Sequence, residues 1–241
     1  MTDVNPVTEV LTGAPAQEPA GASTQVRVPG FLPSTSGLHF ANYYPHEPEI
    51  QINLPLGVKL GLGDAANGLC GGMVYAVCDY FEQGLPIPSS TDPPPAGSPL
   101  YRFIVERLLQ SFHLPFGLNR YLELMTPLLP DAVRARQMTR NEWPAIQTRL
   151  DAGHLVPLGL IKVKSARPRD LCLQHQILTY GYDLDADQVA LCIYDPNYPD
   201  RDDLRLNLNL VNGLLTYSTG EQVYCFFQTT YQPQEPPTTT T

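Results

Sequence analysis

The chain has 241 residues, with 15 Lys plus Arg against 24 Asp plus Glu and a net charge of −9. An acidic chain without a Lys/Arg stripe is repelled by phosphate backbones and anionic lipid, so nucleic-acid binding is disfavoured. No apolar run approaches the ~20 residues that span a bilayer, so no membrane insertion is expected.

The start, MTDVNPVTEV, lacks the basic and apolar regions of a signal peptide, which points to a cytoplasmic location; a leaderless export route would leave no such mark. Residues 1–29 are rich in Pro, Ala, Thr, Gly and Glu, and 232–241 read QPQEPPTTTT. Neither stretch has the apolar surface to offset its ordering entropy, so both are expected to be disordered tails around one domain over 30–231. Within that domain, 31–50 mixes aromatics with turn residues, and 51–60 reads as a short strand interrupted by Pro55. The stretch 61–72 holds five glycines and gives way to MVYAVCDYFEQG, where Met73, Val77, Tyr80 and Phe81 fall at helical spacing before a stop at Gly84 and Pro86. Cys70 therefore sits at the start of a predicted helix. A proline-rich loop over 85–99 follows, then predicted helices over 100–112, 118–129 and 143–150. From His154 the texture changes to short strand-like runs: HLVPLGLIKV, HQILTYGYD, VALCIYDP, LRLNLNL and VYCFFQTTY. Helices first and an antiparallel sheet after make the expected fold class α+β.

Five cysteines, Cys70, Cys78, Cys172, Cys192 and Cys225, are odd in number and widely spaced, which is not a disulfide framework. Cys70 is the candidate nucleophile, because the thiolate is the reactive form and a helix N-terminus favours it. Gly71 and Gly72 after it would let a substrate approach the backbone and leave N–H groups open to an oxyanion. His175 opens the run HQILTYGYD, and Asp195 closes VALCIYD ahead of Pro196 and Asn197. Taken singly these are ordinary: a buried cysteine, a strand-edge histidine, a turn aspartate. Taken together they say more. A hairpin turn over 184–188 centred on Asp185 sets opposite one another residues whose numbers sum to 370, so His175 faces Asp195. Directly opposed Cβ atoms lie about 4.5–5.5 Å apart, close enough for the carboxylate to orient the imidazole.

Through GLCGGM, HQILTYGYD and IYDPNYP the chain resembles the papain-like cysteine peptidase superfamily, and most closely its bacterial peptidase C39-like branch, in which a histidine begins H-x-x-x-x-x-G-Y and an Asp-Pro ends the next strand. The likeness runs from about Asp64 to Phe227, with its sharp motifs confined to a small part of that span. It implies a papain-like fold, with a helical first half, the nucleophile at a helix N-terminus and an antiparallel β-sheet after it. It also implies Cys70 as nucleophile, His175 as general base and acid, and Asp195 as orienting carboxylate. The implied activity is thiol-dependent hydrolysis of peptide or amide bonds in a peptide or protein substrate, with no cofactor. The sequence departs from the pattern at Asp64, where the family carries an oxyanion-donating glutamine; an ionised carboxylate cannot donate. Asn67 and Gln174 are the candidate substitutes, and Gly71 and Gly72 replace the family's aromatic. That departure keeps two other readings open, a catalytically inactive papain-like binding or structural module and a transglutaminase-like acyl transferase. No metal site is expected: Cys172, His175 and Cys192 lack a second closely spaced pair, and His39, His46, His113 and His154 stand in no ligand spacing.

Overall fold

After a short strand β1 (Thr24–Arg27) and one helical turn α1 (Pro33–Ser36), the first half of the chain is dominated by helices α2 (Cys70–Glu82), α3 (Pro99–Ser111), α4 (Phe116–Met125), α5 (Asp131–Gln137) and α6 (Trp143–Asp151). Between α1 and α2 lies a two-stranded ribbon of β2 (Ile50–Asn53) and β3 (Lys59–Leu62). The second half supplies β4 (Val156–Ile161), β5 (His175–Asp185), β6 (Gln188–Tyr194), β7 (Arg205–Asn209), β8 (Leu215–Tyr217) and β9 (Cys225–Gln228). The computed structural model describes residues 23–44, 50–53, 59–62, 68–113 and 116–238. Its class is mixed α and β, helices first and an antiparallel sheet later, in the order β8-β7-β6-β5-β4-β9 with β1 added against β5. No helix among the described residues is long and apolar enough to cross a membrane.

Helix α2 is apolar nearly all round, which is the pattern of a helix enclosed on every side. Its residues from Gly71 to Tyr80 are all buried between α3 and the sheet. The glycines that follow Cys70 serve this packing. A Cβ on Gly72 would stand 1.9 Å from the Ile104 carbonyl oxygen of α3, and one on Gly71 would stand 2.4 Å from Ser111 Oγ and 2.5 Å from Gln176 Nε2. The space expected to admit a substrate at Gly71 and Gly72 is thus filled by the protein's own helix and strand.

The long strand β5 pairs with β6 along one side. On the other it pairs with β4 over its first half (Leu160 opposite His175 to Val156 opposite Thr179) and with β1 over its second (Gly181 opposite Arg27 to Leu184 opposite Thr24). Between the halves lies a bulge. From the turn down to Gly181 and Cys192 the paired residue numbers sum to 373, and from Thr179 and Ile193 onward to 372, leaving Tyr180 as the extra residue. Tyr180 is held there by the Val28 N–H donating to its carbonyl (2.7 Å), its own hydroxyl donating to the Asp202 carbonyl (3.1 Å) and its ring against Phe31. The hairpin turn is the two residues Ala186 and Asp187, with Ala186 at φ 48°, and not a turn centred on Asp185. A two-residue hairpin loop needs positive φ to match the strand twist, and that is what shifts the register from the expected one.

Parts of both stretches expected as tails are ordered. Strand β1 lies inside 1–29, held by its ladder to β5. At the other end, 232–238 runs along α2: the Gln234 N–H donates to Asp79 (2.8 Å), Arg107 to the Gln232 carbonyl (2.9 Å), Gln83 Nε2 to the Gln234 carbonyl (2.6 Å) and the Tyr80 hydroxyl to the Pro237 carbonyl (2.8 Å). Backbone hydrogen bonds, to which composition is blind, hold both segments. Residues 1–22 and 239–241 lie outside the described residues. The predicted helix over 118–129 ends at Met125, and α5 and the wide turn Met138–Glu142, where no element was expected, carry the chain into α6.

Candidate active site

Cys70 is the first residue of α2, half-buried, and the N-cap residue Leu69 makes no capping hydrogen bond with its own side chain. His175 begins β5, Asp195 follows the last residue of β6, and Tyr217 ends β8. Antiparallel pairing brings those three strand ends to one edge of the sheet, where the N-terminus of α2 meets them.

His175 Nε2 is 2.8 Å from Asp195 Oδ1, with the two side chains 5% and 0% exposed. They are not directly opposed. In the 372 register His175 meets Asp195 on the diagonal, which is still within reach of a long side chain. Asp195 is fully engaged: Oδ1 also accepts the Asn197 N–H (2.8 Å), and Oδ2 accepts the Tyr217 hydroxyl. With Nε2 held by the carboxylate, Nδ1 is the ring nitrogen left free to face the Cys70 thiol, which lines the same cavity as the ring. No family model, curated protein or solved structure matches this chain. The site has to be read from its own geometry.

Burial raises the cost of ionising Asp195, but the His175 ring and the hydrogen bonds from Tyr217 and Asn197 outweigh it and hold the carboxyl below its ordinary 3.8. Burial likewise works against the imidazolium of His175, yet the Asp195 carboxylate and the Cys70 sulfur more than offset it and push the imidazole up to about 10. A lowered acid adds stability above pH 3.8 that is lost as pH falls through its folded value. A raised imidazole adds stability below pH 6.5 that is lost as pH rises toward 10. The stability contributed by this pair, read as the difference between wild type and His175→Gln in thermal denaturation, is therefore expected to hold steady between pH 4 and 6.5 and to decline from there to pH 10, so that His175→Gln loses this alkaline decline. A variant that declines as steeply as wild type would show that another group titrates.

Beside Cys70 and His175 opens a narrow cavity of about 30 Å³, with apolar walls from Leu108, Phe112, Tyr121 and Leu171. Gln176, 2% exposed, also lines it: its Nε2 donates to Ser111 Oγ (2.9 Å), while its buried Oε1 has no partner among the described residues. Of the expected oxyanion donors, Asn67 lies outside the described residues, as does Asp64. Gln174 is spent elsewhere. Its Oε1 accepts the N–H groups of Lys162 (2.9 Å) and Val163 (3.2 Å), and its Nε2 donates to the carbonyls of Val163 (2.9 Å) and Asp170 (3.2 Å), so no donor remains for an oxyanion. Its amide clamps the short helix Pro168–Leu173 onto the end of β4. Sequence reasoning missed Tyr217, which sits on a three-residue strand with no readable period, and Gln176, whose neighbour His175 drew the signal.

Proposed function

We propose that the chain is a papain-like, thiol-dependent hydrolase of peptide or amide bonds. The observation that supports this reading is that Cys70 and His175 line one cavity while the imidazole is held by a carboxylate with every oxygen engaged. His175 takes the Cys70 proton, and the sulfur attacks the carbonyl carbon. The backbone N–H groups at the start of α2 face the developing oxyanion, and the imidazolium then protonates the leaving amine. Asp195 fixes the ring tautomer and offsets the imidazolium charge. A second reading, an inactive binding module on the same frame, is favoured by the narrowness of the cavity, whose 30 Å³ holds little more than a water molecule.

The pH dependence of cysteine alkylation by iodoacetamide, read by mass spectrometry, separates the two. Cys78, Cys192 and Cys225 are buried and serve as protected controls, their thiols all pushed up by desolvation, Cys225 to about 12. Cys172, half-buried like Cys70, is the accessible control. Cys70 is expected to label faster than Cys172 at pH 6 to 7, where ordinary thiols are mostly protonated. Equal rates at the two residues would mean that no primed nucleophile exists and would favour the binding module.

A further inference from the structure

Asn42 lies 28 residues before the candidate nucleophile and far from any motif. Its backbone N–H donates to the Pro196 carbonyl (2.9 Å), its side-chain Oδ1 accepts the N–H of Leu69 (2.6 Å), and its Nδ2 donates to Asn197 Oδ1 (3.2 Å). Leu69 is the residue immediately before Cys70 and is fully buried. Asn197 is the residue whose own N–H holds Asp195 Oδ1. We infer that Asn42 is a positioning residue of this site, joining the cap of the nucleophile's helix to the turn that carries the orienting carboxylate; the inference rests on the hydrolase reading above.

The physical case has three parts. The Leu69 N–H belongs to the group of donors that a helix start leaves without partners, and no side chain within the helix end supplies one. Asn42 satisfies it from outside, so the position of the Cys70 turn is set by a residue anchored on the Asp195 side. The approach is close: a Cβ on Gly68 would lie 2.1 Å from Asn42 Nδ2, so the strand of chain leading to Cys70 passes the amide at a distance that glycine alone permits. The amide is also used at both ends, one accepting and one donating. That requirement singles out a carboxamide. Serine is too short to reach both partners, and aspartate can accept from Leu69 but cannot donate to Asn197. Cys70 and His175 come from elements that share no backbone ladder, since α2 packs on β5 only through side chains. A link between the two loops is what keeps thiol and imidazole in register, and displacements of about 1 Å at such a pair can cost 10²-fold in rate.

The test uses the full chain and two readouts. The first is Cys70 alkylation by iodoacetamide against pH, with Cys172 as the internal standard. The second is the titration of the His175 ring by NMR. Asn42→Ala is expected to slow Cys70 labelling at pH 7 by ~10- to 100-fold with Cys172 unchanged. Its labelling profile should move toward that of Cys172, and its His175 titration should move down toward 6.5. Asn42→Asp, which keeps the Leu69 acceptor, should fall between the two. Ser34→Ala, which removes the bond from Ser34 Oγ to Asp202 (2.7 Å), controls for a simple loss of stability and should leave both readouts as in wild type. The inference is overturned if Asn42→Ala keeps the wild-type profile and titration, or if Ser34→Ala shifts them equally. Should wild-type Cys70 label no faster than Cys172, the hydrolase reading falls on its own, and an unmoved His175 titration in Asn42→Ala would then separately remove the positioning role.

Discussion

Replacing Arg107 by methionine is expected to lower the unfolding free energy by ~3–5 kcal/mol, the range seen when one partner of a buried ion pair is removed. Arg107 and Asp79 are 2% and 0% exposed, with Nε 2.7 Å from Oδ2. The guanidinium is stacked between the rings of Tyr75 and Tyr231, 4.9 and 5.4 Å from their centroids, contacts that methionine replaces only in part. Asp79 is the hub of the C-terminal segment, accepting from the Tyr231 hydroxyl (2.8 Å) and the Gln234 N–H (2.8 Å). Burial pushes its carboxyl up to about 6 even though Arg107 and these hydrogen bonds act to lower it. An acid whose folded value is raised costs stability as pH climbs above its unfolded value, and without Arg107 that cost grows. The variant should therefore lose more stability at pH 8 than at pH 5, where the carboxyl can take up a proton. Urea denaturation at the two pH values measures the difference, and amide exchange over 230–237 should accelerate. A pH-independent loss, or none, would mean that the ion pair does not anchor this segment.

Removing the imidazole should act on Cys70 more strongly than any other single change. His175→Ala is expected to slow Cys70 alkylation at pH 7 by ~10²–10⁴-fold, the usual worth of a positioned base. Alanine also strips Asp195 of its Nε2 partner and leaves a carboxylate with 0% exposure short of one hydrogen bond, so the variant risks a folding defect. His175→Gln guards against that outcome: its amide can still donate to Asp195 Oδ1 but cannot take the thiol proton. If the glutamine variant folds and labels at the wild-type rate, His175 is not the base for Cys70.

Local pattern carried the reading of α2 and of the β5–β6 hairpin, because both have strong periodicity and clear stops. That was enough to set Cys70, His175 and Asp195 near one another. It was not enough for the register. The turn was expected one and a half positions too early in the chain, at Asp185, and the bulge at Tyr180 carries no local signal, because it is held by Val28, Phe31 and Asp202. The contact survives because 370 and the observed 372 have the same parity, so both place His175 on the face of Asp195. The features that escaped sequence reasoning share one cause. Strand β1, the segment 232–238, Asn42 and Tyr217 are all fixed by partners distant in sequence, the first three by bonds that involve the backbone, and a residue's own neighbourhood does not encode such bonds.

Strand β5 is in effect two strands written in opposite phase. Beyond the hairpin, the alternation that runs from Asp185 to Gly181 inverts at Tyr180, and without that inversion the imidazole would point away from the acid. The inversion falls where β5 exchanges β4 for β1 as its neighbour. The half that carries His175 is thereby clamped by β4 and β6 alone, and the half beyond it can give up β1 without passing a shift down to the ring. The ladder that holds the reactive end is thus separate from the ladder that holds β1.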